Sequence, residues 1–93
     1  MNVRPGDVLD HYAHMPEQKP ELMSRYIVLS AKEDLCTLYV LKGYRLEELV
    51  NKQGPVIATQ FQKPGDIEEL SPKYIVSKDE TENNFYWEVI DAI

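Results

Sequence analysis

The sequence predicts a small, mainly β protein, built as an antiparallel barrel or strongly bent sheet with one short helix. Its 93 residues are about the size of one domain, so residues 1–93 are predicted to share a single core. Five to seven short segments rich in β-branched and aromatic residues alternate with turn signals, which is typical of all-β domains. Six tyrosines, two phenylalanines and one tryptophan supply large apolar side chains from few positions.

The first predicted strand covers residues 6–13 and follows the turn signal Pro5-Gly6. Its polarity alternates loosely, as expected of a strand with one buried face. Residues 14–20 contain two prolines and mixed charges, a composition that disfavours both helix and strand. They are predicted to form a long loop, and loops of this length are often functional.

A β-hairpin is predicted from residues 25–30 and residues 35–44, which flank the polar break at residues 32–34. Apolar side chains occupy both alternating sets of positions in the second of these strands. This pattern predicts a central strand that is covered on both faces.

The hydrophobic period changes between residues 45 and 53. Leu46, Leu49 and Val50 recur at helical spacing, and Gly54-Pro55 ends the run. At about two turns this helix must dock on the sheet to be stable. Residues 56–62 alternate in polarity and are predicted to form another strand.

The last third begins with Pro64-Gly65-Asp66, which repeats the earlier Pro5-Gly6-Asp7. Because Pro-Gly-Asp is common turn chemistry, two independent turns are favoured over an internal repeat. Residues 74–76 are predicted to form a short strand, residues 78–84 a charged turn and residues 85–90 the final strand. Trp87 is predicted to lie in the core because residues 85, 87 and 89 share one face of that strand.

Negative charge is concentrated at one end of the chain. Residues 1–63 carry equal numbers of acidic and basic side chains, so the formal net charge of -6 arises after residue 63. Eight acidic residues there face only Lys73 and Lys78. A one-sided negative surface repels nucleic-acid phosphates and attracts basic partners.

Several classes of protein are excluded or disfavoured by composition. No apolar run approaches the roughly 20 residues that a membrane helix requires, so no membrane span is expected. The N-terminal segment has no apolar region typical of a secretory signal, which favours an intracellular location. Cys36 is the only cysteine and lies in an apolar segment, where a buried, inert thiol is predicted.

Metal and cofactor sites are not predicted. His11 and His14, with Asp7 and Asp10 nearby, contain metal-ligating groups. Histidines three residues apart share a face only on a helix, however, and this segment is predicted to be a strand followed by a loop. Packed or surface histidines are therefore favoured. The sequence also contains no glycine-rich phosphate loop, so it does not indicate a nucleotide cofactor.

The acidic residues near the C-terminus form the favoured binding site. Their spacing matches no calcium-binding loop. A solvated turn that protects a sheet edge is one interpretation, and a patch for a basic protein partner is the other. The residues assigned to this partner-binding site are Glu68, Glu69, Asp79, Glu80 and Glu82.

The residues Arg4-Pro5-Gly6-Asp7-Val8 and Ser24-Arg25-Tyr26-Ile27-Val28-Leu29-Ser30 resemble the opening of MazF/PemK-type toxin endoribonucleases. The resemblance covers about the first third of the chain. It implies an SH3-like barrel in which Arg25 is the catalytic arginine and residues 14–23 gate the substrate. In this sequence Tyr26 stands where that family usually has proline.

The favoured function is a non-catalytic protein-binding or inhibitor module that meets a basic protein through its acidic C-terminal region and exposed tyrosines. Small domains of this kind are common among accessory proteins of phages and mobile elements. A diverged MazF-like endoribonuclease, or a catalytically inactive relative, is the alternative. A small-ligand pocket between the helix at residues 45–53 and the barrel mouth is a third, weaker hypothesis.

Overall fold

The computed structural model describes residues 1–43 and 63–91. They contain one antiparallel sheet of five strands and a short 3-10 helix at Pro72–Tyr74. The strands are β1 (Val8–Ala13), β2 (Glu21–Ala31), β3 (Cys36–Lys42), β4 (Ile67–Leu70) and β5 (Phe85–Asp91). Their spatial order is β4-β3-β2-β1-β5, so β4 and β5 are the edges of the sheet as described.

The predicted mainly β fold is confirmed. The strand at residues 6–13, the β2–β3 hairpin, the loop before β2 and the final strand all occur near their predicted positions. β2 begins at Glu21, so the loop before it covers residues 14–20 and the last part of the proposed gating segment belongs to a strand. The predicted helix at residues 45–53 and the strand at residues 56–62 lie outside the described residues.

The core lies on one face of the sheet, where alternate residues of each strand point inward. Its fully buried side chains include Leu9 of β1, Val28 of β2, and Leu38 and Val40 of β3. Trp87 is only 6% exposed and belongs to this cluster, which confirms its prediction as a core residue. Ile75, which follows the 3-10 helix, covers the same cluster from outside the sheet.

The prediction that the second hairpin strand is covered on both faces is wrong for β3. Cys36, Leu38 and Val40 are buried, whereas Tyr39 and Leu41 on the other face are 37% and 41% exposed. Apolar side chains at both sets of positions therefore mark one face in the core and one face that solvent reaches.

The predicted strand at residues 74–76 is also wrong. Tyr74 ends the 3-10 helix, whose backbone bonds run from Tyr74 N to Ser71 O and from Ile75 N to Pro72 O. The helix begins at Pro72, which lacks the N–H that a strand would use and has its dihedral angle fixed near helical values. Ile75 is nevertheless buried, so its apolar character reflects packing and not strand pairing.

The two Pro-Gly-Asp turns have the same hydrogen bonds. Asp7 N donates to Arg4 O and Asp66 N to Lys63 O, each at 3.0 Å. Gly6 and Gly65 have φ angles of 92° and 94°, a conformation that favours glycine. Each turn also exchanges two backbone bonds with a neighbouring strand: residues 6 and 7 with Val28, and residues 65 and 66 with Val40.

These matching bonds relate β1 and β2 to β4 and β3 by a local two-fold axis. The turn at residues 4–7 and β1 pair with β2 in the same way as the turn at residues 63–66 and β4 pair with β3. The axis passes beside Ile27 and Tyr39, which are paired between β2 and β3. Similar turns in the sequence thus correspond to similar backbone environments in the fold.

Candidate functional site

The sheet face opposite the core carries Val8, Ile27, Tyr39 and Ile67, and we call it the open face. Strand register places these four residues in one row, because Val8 pairs with Ile27, Ile27 with Tyr39, and Tyr39 with Ile67. Tyr39 is 37% exposed and Ile67 is 56% exposed, while Val8 and Ile27 are partly buried. A contiguous apolar row on a solvent-facing sheet surface is typical of an interaction site.

A second row on the open face is charged. Register aligns Glu88 of β5 with Asp10 of β1, Asp10 with Arg25 of β2, and Arg25 with Lys42 of β3. The row is therefore negative at its β5 end and positive at its β3 end. Glu88 and Lys42 at the two ends are exposed, and neither forms an ion pair with another residue in the described part of the chain.

Arg25 and Asp10 form a bidentate ion pair in the middle of this charged row. Arg25 Nε lies 2.7 Å from Asp10 Oδ1 and Arg25 Nη2 lies 3.0 Å from Asp10 Oδ2. The Asp10 side chain is 3% exposed and the Arg25 side chain 38% exposed. Hydrogen bonding to Asp10 raises the pKa of Arg25, so the guanidinium stays charged and its charge is largely neutralised by its partner.

Tyr12 extends this polar cluster towards β5. Its hydroxyl donates to Asp10 Oδ2 at 3.4 Å, and its ring stacks on Tyr86 with centroids 5.2 Å apart. Burial raises the pKa of Tyr12, and the nearby charges of Asp10 and Glu88 raise it further. The phenol therefore remains a neutral donor to the carboxylate.

Three of the predicted partner-binding residues lie together in the segment at residues 77–84, which we call the acidic loop. The residue before it, Val76, accepts a hydrogen bond from Trp87 N of β5, and its last residue, Asn84, accepts one from His14 N just after β1. Asp79, Glu80 and Glu82 are all exposed. The structure thus brings these three carboxylates to one short segment at the β5 edge.

Side-chain hydrogen bonds fix the shape of the acidic loop. The Thr81 hydroxyl donates to Phe85 O at 2.6 Å and contacts Asn83 Oδ1 at 3.0 Å. Asn83 Oδ1 in turn accepts from Phe85 N at 2.8 Å. Ser77 N donates to Glu80 Oε1 at 3.2 Å, closing the first turn.

Among the residues that the structure describes, Glu80 has hydrogen-bond and ion-pair partners, whereas Asp79 and Glu82 have none. Both of its carboxylate oxygens lie 3.4 Å from the Met1 amino nitrogen. Hydrogen bonding from Ser77, with a smaller contribution from the Met1 amino group, lowers the pKa of Glu80. Asp79 and Glu82 are thus the carboxylates that the acidic loop presents most freely to a partner.

Glu68 and Glu69 do not join the acidic loop, because they lie on β4 at the opposite edge of the described sheet. Glu68 pairs with the buried Leu38, so it is on the core side, and its buried Oε2 has no hydrogen-bond partner among the described residues. Glu69 pairs with Thr37 and is exposed. The five residues assigned from the sequence therefore fall into two separate places.

Glu68 takes part in a small polar group on the core side. Burial raises the pKa of Tyr26 to about 12, a hydrogen bond with Ser24 opposes this shift, and one with Glu68 adds to it. Tyr26 and Ser24 are 3% and 4% exposed. A buried phenol that is hydrogen-bonded in this way has a role in stabilising the fold.

The two histidines and their neighbours are not arranged as a metal site. Within residues 1–43 and 63–91, no group of three or more His, Cys, Asp or Glu side chains could hold a metal ion. His11 is instead stacked on Trp87, with ring centroids 4.2 Å apart, and burial lowers the pKa of His11 to about 4. This agrees with the prediction of a packed histidine.

Cys36 is 1% exposed, and burial raises the pKa of its thiol. The prediction of a buried thiol is therefore confirmed, and its protonated form is the unreactive one. Separately, the described residues include no helix that is both long and apolar enough to cross a membrane.

The open face was missed from the sequence, although its signal was present in the strands. Apolar residues at both sets of positions in β3 predict cover on both faces, although one of those faces is exposed. Only the register shows that residues from four strands form one exposed row. Pairing between distant segments is non-local, so the alternation within one strand could not reveal it.

Comparison with known proteins identified no relative: no family model, no curated protein and no solved structure matches this chain.

Proposed function

We propose that this protein is a non-catalytic, intracellular protein-binding module that meets a basic partner through its acidic loop. The observation that carries the proposal is the hydrogen-bonded loop at the β5 edge, which presents Asp79 and Glu82 to solvent. An inhibitor that mimics nucleic-acid phosphates is one specific form of this function. In that form, the basic partner is an enzyme that acts on nucleic acid. Such an inhibitor would be consistent with an accessory protein of a phage or mobile element.

The order of the loop supports a binding role. A segment that is already held by its own hydrogen bonds loses less conformational entropy on binding than a flexible one. Thr81 and Asn83 supply those bonds, so the carboxylates beside them keep a fixed spacing before any partner arrives. Fixed charges favour one partner geometry over others.

The local charge also supports a basic partner. The two lysines of the C-terminal region lie over aromatic rings: Lys73 Nζ is 5.0 Å from the Tyr74 ring centroid and Lys78 Nζ is 6.0 Å from that of Tyr86. Neither forms a salt bridge with Asp79 or Glu82. The negative field of the acidic loop is thus available to steer a positively charged partner.

Affinity capture from a lysate of the native host tests the proposal, with bound proteins identified by mass spectrometry. The variant Asp79→Asn/Glu82→Gln keeps the hydrogen bonds of Thr81, Asn83 and Glu80, and we expect it to weaken capture of a basic partner at least tenfold. High salt should release the partner from the wild-type chain as well.

The matched control is Glu33→Gln/Asp34→Asn, which removes the same charge from the exposed β2–β3 turn. It should leave capture unchanged. Equal capture by both double variants would contradict the proposal, as would a partner that high salt does not release.

The endoribonuclease alternative depends on Arg25, and no observation on the described residues favours it. The guanidinium is bound by Asp10 through two hydrogen bonds, and its charge is balanced there. Recovery of RNA in the capture experiment, followed by its cleavage, would favour the alternative over the protein-binding module.

A further inference from the structure

We propose that the open face binds the open face of a second copy of this chain, forming a two-fold symmetric dimer. Val8 and Ile27, at one end of the apolar row, supply the apolar centre of the contact. The proposal does not depend on the function of the acidic loop, because it uses a different set of residues.

The charged row makes the open face complementary to itself. Glu88 at the β5 end and Lys42 at the β3 end are exposed, and neither is ion-paired with another residue of 1–43 or 63–91. A two-fold axis that runs along the strands reverses the strand order of the second sheet over the first. The β3 end of one row then lies over the β5 end of the other, so Lys42 approaches the partner's Glu88.

This axis passes between β1 and β2, so it places Val8 and Ile27 over the partner's Ile27 and Val8. Sheets that pack face to face keep their strand directions within about 30° of each other, so the rows remain roughly aligned. Tyr39 of β3 then faces β5 of the second copy, and Ile67 of β4 lies beyond that strand. An interface of this kind has an apolar centre and a charged rim, as stable protein contacts commonly do.

A second copy is favoured over other occupants by this charge pattern. A basic partner would be repelled by Lys42, and an acidic one by Glu88. Only a surface with the opposite order of charges satisfies both ends of the row, and the two-fold copy has that order.

The test is the self-association of the full chain, measured by sedimentation up to roughly 1 mM, well above the dissociation constants of most specific dimers. We expect Lys42→Glu and Glu88→Lys each to weaken dimerisation about tenfold or more, since each places like charges together. The combined swap Lys42→Glu/Glu88→Lys should restore the dissociation constant to within about threefold of wild type.

The two single variants also distinguish the loss of a specific interface contact from general charge repulsion between molecules. The chain carries a net charge of -6, which Lys42→Glu makes more negative and Glu88→Lys less negative. Repulsion between whole molecules would thus weaken self-association of Lys42→Glu and strengthen that of Glu88→Lys. Loss of the proposed Lys42–Glu88 contact instead weakens self-association of both variants. Lys32→Glu, in the exposed hairpin turn, is the control for Lys42→Glu and should have a small effect.

Several results would overturn the proposal. These are a wild-type chain that stays monomeric throughout the concentration range, single variants that behave oppositely, and a swap that fails to restore association. Both changed residues are exposed, and unchanged far-ultraviolet circular dichroism would confirm that the variants are folded.

Discussion

At the scale of single residues, His11 shows how burial decides a side chain's chemistry. Its ring lies between β1 and β5, stacked on Trp87 at 4.2 Å and tilted against Phe85 at 6.0 Å. The charged form loses hydration there, so burial lowers the pKa to about 4 from the ordinary 6.5. The fold therefore favours the neutral imidazole.

This shift predicts an acid-dependent loss of stability. As the pH falls through 6.5, the unfolded chain binds a proton on His11 before the folded chain does. The free energy of unfolding then falls by up to about 1.4 kcal/mol per pH unit, until the folded pKa near 4 is reached. His11→Phe keeps an aromatic ring against Trp87 but cannot titrate.

Urea unfolding of both proteins, followed by Trp87 fluorescence between pH 7 and pH 4, measures the effect. Wild type should lose stability relative to His11→Phe across this window, because the carboxylates that titrate there are common to both. Parallel stability curves would show that His11 does not supply the pH dependence.

At the scale of elements, the two Pro-Gly-Asp turns allow a matched comparison. Asp7 Oδ2 accepts from Arg4 N at 2.9 Å, and Asp66 Oδ2 accepts from Lys63 N at 2.9 Å. Asp7 is 5% exposed, whereas Asp66 is exposed to solvent. The same bond thus exists once in a buried and once in a hydrated setting.

We expect Asp7→Ala to lower the free energy of unfolding by about 2 kcal/mol and Asp66→Ala by about 0.5 kcal/mol, because water replaces the lost acceptor only at the exposed turn. Asp7→Asn and Asp66→Asn retain an acceptor and should recover part of each loss. Chemical denaturation gives the four values. A larger loss at Asp66 than at Asp7 would refute this account of burial.

Four of the five described strands, β1, β2, β3 and β5, could be predicted because their signal is local, whereas β4 was not predicted. Alternating polarity between turn residues located β1, the β2–β3 hairpin and β5 within a few residues. Ile75 was misassigned because an apolar residue packs on the core equally well after a 3-10 helix. The prediction that the two Pro-Gly-Asp turns arose independently stays a prediction, although their hydrogen bonds are the same.

The candidate sites were predictable only in part. Adjacency in the sequence was enough to group Asp79, Glu80 and Glu82, since a short turn keeps its residues together. Glu68 was misplaced in that group because strand pairing sends it to the core side and to another edge. Charge counts along a sequence carry no information about which face a strand residue occupies.

At the scale of the whole molecule, the acidic loop and the open face are separate surfaces, and the two proposals assign them different partners. The loop lies at the β5 edge, and the apolar row is centred on the pair Ile27 and Tyr39 between β2 and β3. Positions without shared partners usually contribute independently. The two proposed interactions should therefore separate by mutation.

We predict that Asp79→Asn/Glu82→Gln weakens capture of a basic protein without changing self-association, and that Lys42→Glu does the reverse. The measurements are partner affinity in solution and sedimentation of each variant. Each unaffected dissociation constant should stay within about threefold of wild type, because the changed residue touches neither the other surface nor its partner. If Lys42→Glu also abolished capture, the partner would require both copies of the acidic loop, and its affinity would arise from two linked contacts on one dimer.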